Sequence, residues 1–250
     1  MLLLPFAAGA VIGGFSRASA LSFAAIMLLF LARPAMSGWL AAGRHSRSGA
    51  RVPVPAAAVV MTVAALLLFI WLLLFESLKG LFWLGAAAAL LLAFHETLRT
   101  RAPRSQAAEL AGVGVLTMSA PLAFYAGSGH LGTEAGWLWF LSAGYFAISV
   151  FHVRLKVVAA GRRGARGTRQ RVAQARLTLA YLVFLWAALV FLAAAGVIPV
   201  AAPLAYVPAS VYVIASFPKL GSKLKLRREG AVQIALALAF CLLLIAGYRV

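Results

Sequence analysis

The chain has 250 residues, of which 64% are hydrophobic and 11% are charged. Soluble domains have about 45–50% apolar residues, so this composition excludes a soluble globule and indicates an integral membrane protein. The net charge of +18 comes from Lys and Arg confined to short segments between apolar runs, which argues against nucleic-acid binding. The single cysteine, Cys241, excludes a disulfide framework and a thiolate metal cluster.

Nine apolar segments follow one another along the chain, and most approach the ~17–25 residues that a helix needs to cross the hydrocarbon core. Lipid cannot satisfy bare backbone groups, and the period-2 alternation of barrel strands is absent, so these segments are predicted to be helices. The predicted fold class is therefore all-α: a polytopic membrane helix bundle of about nine transmembrane helices, forming a single transmembrane domain. The alternative is eight spans, with the first segment not crossing the membrane. The predicted spans are 1–16, 18–33, 54–75, 80–96, 107–126, 135–155, 176–196, 197–217 and 231–248.

The connections between these segments differ sharply in charge. One alternate set holds twenty of the 23 Lys and Arg residues and the other set holds three. The positive-inside rule therefore predicts a cytoplasmic amino terminus in a multi-pass protein of the inner (plasma) membrane. The hydrophilic stretches 34–53 and 157–175 are predicted to be cytoplasmic loops. We expect the basic loops to attract anionic lipid headgroups, which makes membrane lipids the predicted partners. The sequence does not identify which proteins, if any, are partners.

Two prolines and three glycines have predicted structural roles within the spans. Pro208 lies within the eighth segment and Pro121 within the fifth, and each is predicted to kink its helix. Gly9, Gly13 and Gly112 are small residues on helix faces, where they are expected to allow close contact between helices.

The sixth span carries a narrow polar stripe. On a helix, Tyr145, Ser149, His152 and Lys156 fall within about 60° of one another, and the stripe runs towards the basic segment that follows. One interpretation is a cavity lining, in which His152 titrates and Lys156 and Arg154 hold an anionic ligand. The other is hydrogen bonding between helices, with His152 and Lys156 reaching the membrane interface.

Three further residues are candidate ligand-binding groups. His95 and Glu96 are adjacent at the end of the fourth span, where Glu96 has arginines nearby to pair with and His95 favours the negative end of its helix. Glu109 lies in the first turns of the fifth span, near the interface. The sequence has no nucleophile motif, phosphate loop, dinucleotide fingerprint or zinc signature, so we assign no catalytic residue, no metal and no cofactor.

Several stretches carry a family resemblance. Ala-Glu-Leu-Ala-Gly at 108–112, Ala-Pro-Leu-Ala-Phe-Tyr at 120–125 and Phe-Ala-Ile-Ser-Val-Phe-His-Val-Arg-Leu-Lys-Val at 146–157 resemble the YwiC-like family of bacterial membrane proteins. The opening Leu-Leu-Leu-Pro-Phe at 2–6 is also similar, and the resemblance extends over most of the chain. Family members carry His-Gly-Ala-Trp just upstream of that opening, which predicts that the natural chain starts before Met1. The resemblance implies a multi-pass membrane protein and no particular reaction.

The arrangement of spans is also similar in plan to the UbiA prenyltransferase superfamily. Those enzymes hold Mg²⁺ and a prenyl diphosphate with aspartate-rich motifs in the loops after the second and sixth spans. The corresponding stretches here contain no acidic residue, and the whole chain contains no aspartate. Because Mg²⁺ demands oxygen ligands, usually including carboxylates, metal-assisted prenyl transfer by that mechanism is disfavoured.

Three functional hypotheses follow. The first is non-enzymatic: recognition or movement of a small anionic or phospholipid-like ligand through a cytoplasm-facing cavity near His152, Arg154 and Lys156. The second is an altered UbiA-like transferase acting on an isoprenoid or lipid, which would need Glu96 or Glu109 as its acidic group. The third is a structural subunit of a membrane complex.

Overall fold

The computed structural model describes residues 2–45, 55–102, 105–161, 165–217 and 226–249. Every regular element among them is helical, which confirms the all-α prediction. The elements are α1 (Leu3–Gly13), α2 (Arg17–His45), α3 (Ala56–Phe75), α4 (Gly80–Arg101), α5 (Gln106–Thr117), α6 (Ser119–Ser128), α7 (Thr133–Gly161), α8 (Ala165–Ala194), a 3₁₀ helix (Ala202–Tyr206), α9 (Val207–Ser216) and α10 (Leu226–Arg249).

The described chain has seven helical segments long and apolar enough to cross a membrane, counting α5 and α6 as one. This confirms a polytopic helical bundle. The first and eighth predicted segments are helical but shorter than the rest. Helix α1 has 11 residues and is about 17 Å long, against a hydrocarbon core of about 30 Å. The eighth segment is a 3₁₀ turn followed by the ten-residue helix α9.

The two hydrophilic stretches predicted to be loops are largely helical. Helix α2 continues to His45, α7 ends at Gly161 and α8 already begins at Ala165, so the loop predictions are wrong for those residues. Ala, Arg and Gln are strong helix formers, and they carry each helix beyond its apolar part. The remaining basic connections, residues 46–54, 103–104, 162–164 and 218–225, lie outside the described residues.

Ion pairs and hydrogen bonds link the helix ends that border the basic connections. Helices α2 and α4 meet through Arg33 and Glu96, and α5 and α7 through Glu109 and Arg154. Helix α7 meets α9 and α10 through Lys156. These ends therefore lie together, as the alternating topology predicts, and we call this side of the bundle the basic end. That the basic end faces the cytoplasm stays a prediction.

At the opposite end, hydrogen bonds between side-chain hydroxyls and backbone groups join the helices. The Ser16 hydroxyl donates to the Ala126 carbonyl at 2.9 Å, which joins the turn before α2 to the end of α6. The backbone N–H of Gly80 donates to the Tyr125 hydroxyl at 2.9 Å, which supports the start of α4. Buried side chains close this end between α2, α3, α4 and α6, namely Ala18, Leu72, Leu78, Leu81, Tyr125 and Ala126.

The two proline predictions have different outcomes. Pro121 lies in the first turn of α6, just after the break between Thr117 and Ser119, so the helix of the fifth segment is interrupted beside this proline. The prediction that Pro208 lies in a helix interior is wrong. Pro208 lies in the first turn of α9. A proline suits that position because the first N–H groups of a helix have no partner within the helix.

Helices α1 and α6 run parallel and touch backbone to backbone. A β-carbon added at Gly9 would collide with the Ala120 carbonyl, and one added at Gly13 would collide with the Phe124 carbonyl. A β-carbon at Gly127 would collide with the Gly14 carbonyl in the same way. The predicted close contacts at Gly9 and Gly13 are therefore confirmed, and we call this α1–α6 contact the glycine seam.

Candidate functional site

The part of the polar stripe on α7 that lies nearer the basic end packs against α9 and α10. Lys156 Nζ lies 2.6 Å from Glu229 Oε2 and 3.2 Å from the Tyr212 hydroxyl. The Tyr212 hydroxyl in turn donates to the Glu229 carboxylate at 3.0 and 3.1 Å. One turn away, the Ser149 hydroxyl donates to Gln233 Oε1 at 2.9 Å. The Glu229 carboxylate is the centre of this group, which we call the Glu229 cluster.

His152 is fully buried within the Glu229 cluster. Its Nδ1 lies 3.5 Å from the Ser216 hydroxyl, and its ring meets the Tyr212 ring edge-on with centroids 5.3 Å apart. Its Nε2 lies 3.3 Å from Glu229 Oε1, which is within ion-pair distance but lacks the alignment of a hydrogen bond. The imidazole therefore contributes packing and a polar contact between three helices. The second interpretation of the stripe expected it to reach the membrane interface, which the buried ring does not do.

Tyr145, at the end of the stripe farther from the basic end, belongs to the apolar core. Its ring stacks on Phe240 of α10 with centroids 3.9 Å apart and meets Tyr206 at 6.1 Å. The Tyr145 side chain is 1% exposed, and its hydroxyl has no hydrogen-bond partner among the described residues. The predicted stripe therefore divides into an aromatic part and the Glu229 cluster.

His95 and Glu96 point to different partners. The Glu96 carboxylate lies 3.1 Å from Arg33 on α2 and 3.4 Å from Arg99 one turn further along α4. The His95 ring instead places Nδ1 2.9 Å from the Ala108 carbonyl of α5 and packs against Gly112. The pairing predicted between Glu96 and a nearby arginine is thus observed with Arg99. Glu96 also pairs with Arg33, which is 63 residues away in the sequence and was not predicted.

Glu109 and Arg154 pair with each other across α5 and α7, with 3.4 Å between the carboxylate and the guanidinium. The two side chains are 47% and 29% exposed, so water reaches this pair far more than it reaches Lys156 and Glu229. Arg154 therefore lies on a different face of α7 from the Glu229 cluster, and the structure does not gather all the predicted residues into one site.

Sequence reasoning missed Glu229 as the cluster's centre, together with Tyr212 and Gln233. A signal was present: Glu229 is one of only five acidic residues, and it directly precedes an apolar run. Because two arginines directly precede Glu229, the local pattern indicates a basic connection instead. Nothing in the local pattern of α10 indicates that Lys156, 73 residues earlier, is its partner.

A cavity of about 580 Å³ lies away from this cluster, between the α2–α3 pair and helices α4, α5 and α6. Its walls are aliphatic and aromatic apart from Arg33 near the basic end and a few hydroxyl groups. Two of those hydroxyls are bonded to backbone carbonyls: that of Thr62 to Ala58, and that of Ser119 to Leu2 and Leu116. The lining includes Ala25, Leu29, Ala65, Leu66, Phe69, Gly85, Ala88 and Leu92. The cavity is thus apolar, with a single charged side chain at one end.

The seven spanning segments, with ion pairs between their ends on one side, define a polytopic helical membrane protein. A family model described as YwiC-like protein matches residues 1–124, from the start of the chain into α6. Over those residues, just under half of the chain, the protein is similar to the YwiC-like family. The resemblance noted at 146–157 lies outside the matched residues. No curated protein and no solved structure matches the chain.

Proposed function

We propose that this YwiC-like membrane protein binds a phospholipid-like ligand, whose apolar chain occupies the cavity between α2 and α6. The observation that carries the proposal is the cavity itself, about 580 Å³ of apolar space with Arg33 on its lining. That volume falls within the roughly 300–1,000 Å³ of small-molecule sites, which combine apolar walls with a few polar groups. By the positive-inside count, we place the basic end in the cytoplasm and the protein in the inner membrane.

The apolar walls favour a lipid over a small inorganic anion. A free anion would lose its hydration against aliphatic side chains, which give it nothing in return. An acyl chain would instead replace lipid contacts with protein contacts at close packing. Ligand binding by His152, Arg154 and Lys156 stays a separate hypothesis, because Lys156 and His152 are already engaged with Glu229.

Filling the cavity should remove the lipid. Leu66 lines the cavity on α3, whereas its neighbour Leu67 does not, and the two side chains are similarly exposed at 53% and 62%. We expect Leu66→Trp to reduce the amount of copurified lipid roughly tenfold, the factor that about 1.4 kcal/mol of overpacking produces. Lipid mass spectrometry of the protein purified in mild detergent measures this.

Leu67→Trp is the matched control, since it adds the same bulk to the same helix on a surface outside the cavity. It should retain the wild-type lipid. Equal lipid content in the two tryptophan variants would refute the proposal. Loss of lipid in His152→Ala at normal expression, with Leu66→Trp unaffected, would place the ligand at the Glu229 cluster instead.

A further inference from the structure

Resting on the proposed function, we infer that the bound lipid is an anionic phospholipid from the leaflet at the basic end. Its phosphate binds Arg33 in place of Glu96, and Glu96 stays paired with Arg99. The inference assigns a headgroup site to Arg33, Glu96 and Arg99, which we call the arginine mouth.

The lining is long enough to hold one acyl chain of a lipid. The lining residues of α2 run from Ser22 to Arg33, and those of α4 run from Leu81 to Leu92. Each stretch rises through eleven residues, or about 17 Å at 1.5 Å per residue. Half of a hydrocarbon core of about 30 Å is about 15 Å. A chain with its headgroup at Arg33 would therefore fit along the lining, with its end towards Leu72 and Leu81.

The cavity is closed at the far end and open at its side. Leu72 and Leu81 line its far end and belong to the buried cluster that joins α2, α3, α4 and α6. Lining residues elsewhere are partly uncovered, with Leu29 at 47% and Leu66 at 53% exposure. A lipid would therefore enter sideways from the bilayer, with its chain end pointing towards Leu72.

The arginine mouth carries more positive than negative charge. Arg33 lies 3.1 Å and Arg99 lies 3.4 Å from the single carboxylate of Glu96. The guanidinium group suits phosphate because its planar fork can donate two parallel hydrogen bonds. Charge complementarity at the mouth therefore favours an anionic headgroup over a neutral one.

Replacing Glu96 on Arg33 requires breaking only a weak pair. The Arg33 and Glu96 side chains are 31% and 40% exposed, and ion pairs between such accessible groups contribute little to stability. Glu96 also keeps its contact with Arg99 when Arg33 turns to a phosphate. The Glu96 carboxylate therefore competes with the phosphate for the Arg33 guanidinium.

Two charge-changing variants should move binding in opposite directions. In nanodiscs containing phosphatidylglycerol and phosphatidylcholine, native mass spectrometry reports how strongly phosphatidylglycerol is retained. We expect Arg33→Gln to weaken that retention roughly tenfold or more, the scale of a lost charge-assisted hydrogen bond. Glu96→Gln should strengthen it, because the competing carboxylate is removed.

Arg101→Gln is the control for overall charge, since Arg101 is exposed on α4, the helix that carries Glu96, and lies outside the cavity lining. An equal effect of Arg33→Gln and Arg101→Gln would overturn the headgroup site. If Leu66→Trp still removed lipid in that case, the proposed function would stand without it. If Leu66→Trp had no effect, the proposed function itself would fail.

The orientation of the chain has its own readout. Phosphatidylglycerol with a photoreactive diazirine at the end of one acyl chain should label peptides around Leu72 and Leu81. Leu66→Trp should abolish that labelling and Leu67→Trp should leave it. Labelling centred on Leu92 and Arg33 instead would mean that the chain enters from the opposite leaflet, and it would overturn the inference.

Discussion

Glu229→Gln is expected to destabilise the protein by about 3 kcal/mol, because it leaves the Lys156 ammonium without its carboxylate in a site where only 16% of that side chain is exposed. The charge-assisted hydrogen bond from Lys156 and the polar contact from His152 weaken at the same time. Scanning fluorimetry in detergent should show a lower melting temperature, and the bundle should open first where α10 leaves α7.

A double replacement separates the ion pair from general damage to the fold. In Lys156→Met combined with Glu229→Leu, both charges are gone and apolar side chains fill the space, so most of the lost stability should return. Glu109→Gln serves as the comparison, since its pair with Arg154 is largely exposed and should contribute less than about 1 kcal/mol. Equal losses for Glu229→Gln and Glu109→Gln would show that the Glu229 cluster does not hold the helices together.

Gly9→Ala should destabilise the protein although alanine is the better helix former. The added methyl group meets the Ala120 carbonyl, so the two backbones at the glycine seam must separate. Overpacking of this kind costs about 1–3 kcal/mol, which exceeds the gain of up to about 1 kcal/mol from helix propensity. Thermal unfolding in detergent should therefore show a clear fall in melting temperature.

Gly136→Ala tests the opposite sign. Gly136 is an exposed helical glycine in α7, and nothing lies within 4 Å of a β-carbon built there. This variant should be neutral or slightly more stable, because only the propensity gain remains. If Gly9→Ala and Gly136→Ala changed the melting temperature equally, the glycine seam would not be closely packed.

The topology was predictable because it depends on properties read along the chain. Apolar length predicted the seven described segments that are long enough to cross, but it also predicted spans at α1 and α9, whose helices are shorter. The alternation of Lys and Arg predicted the shared end at which Arg33, Arg154 and Lys156 are found. The proline break before Pro121 and the close contact at Gly9 were predictable for the same reason, since both follow from local backbone geometry.

The partners of the polar residues were not predictable, because they depend on which helices are neighbours in space. Glu96 finds Arg33 across 63 residues, and Lys156 finds Glu229 across 73. The cavity was missed for a similar reason: each wall residue reads as an ordinary lipid-facing side chain. Only the packing of α3 on α2, and of α4 on α5 and α6, leaves space between the two groups.

Helix α1 packs against both α6 and α10, which are far apart in the chain. The Ser119 hydroxyl reaches its Leu2 carbonyl, and the Cys241 thiol reaches its Leu4 carbonyl. During biosynthesis α1 therefore emerges long before α10 is made. The packing around α1 must stay incomplete until α10 has been inserted, and truncation of α10 would leave one face of α1 uncovered.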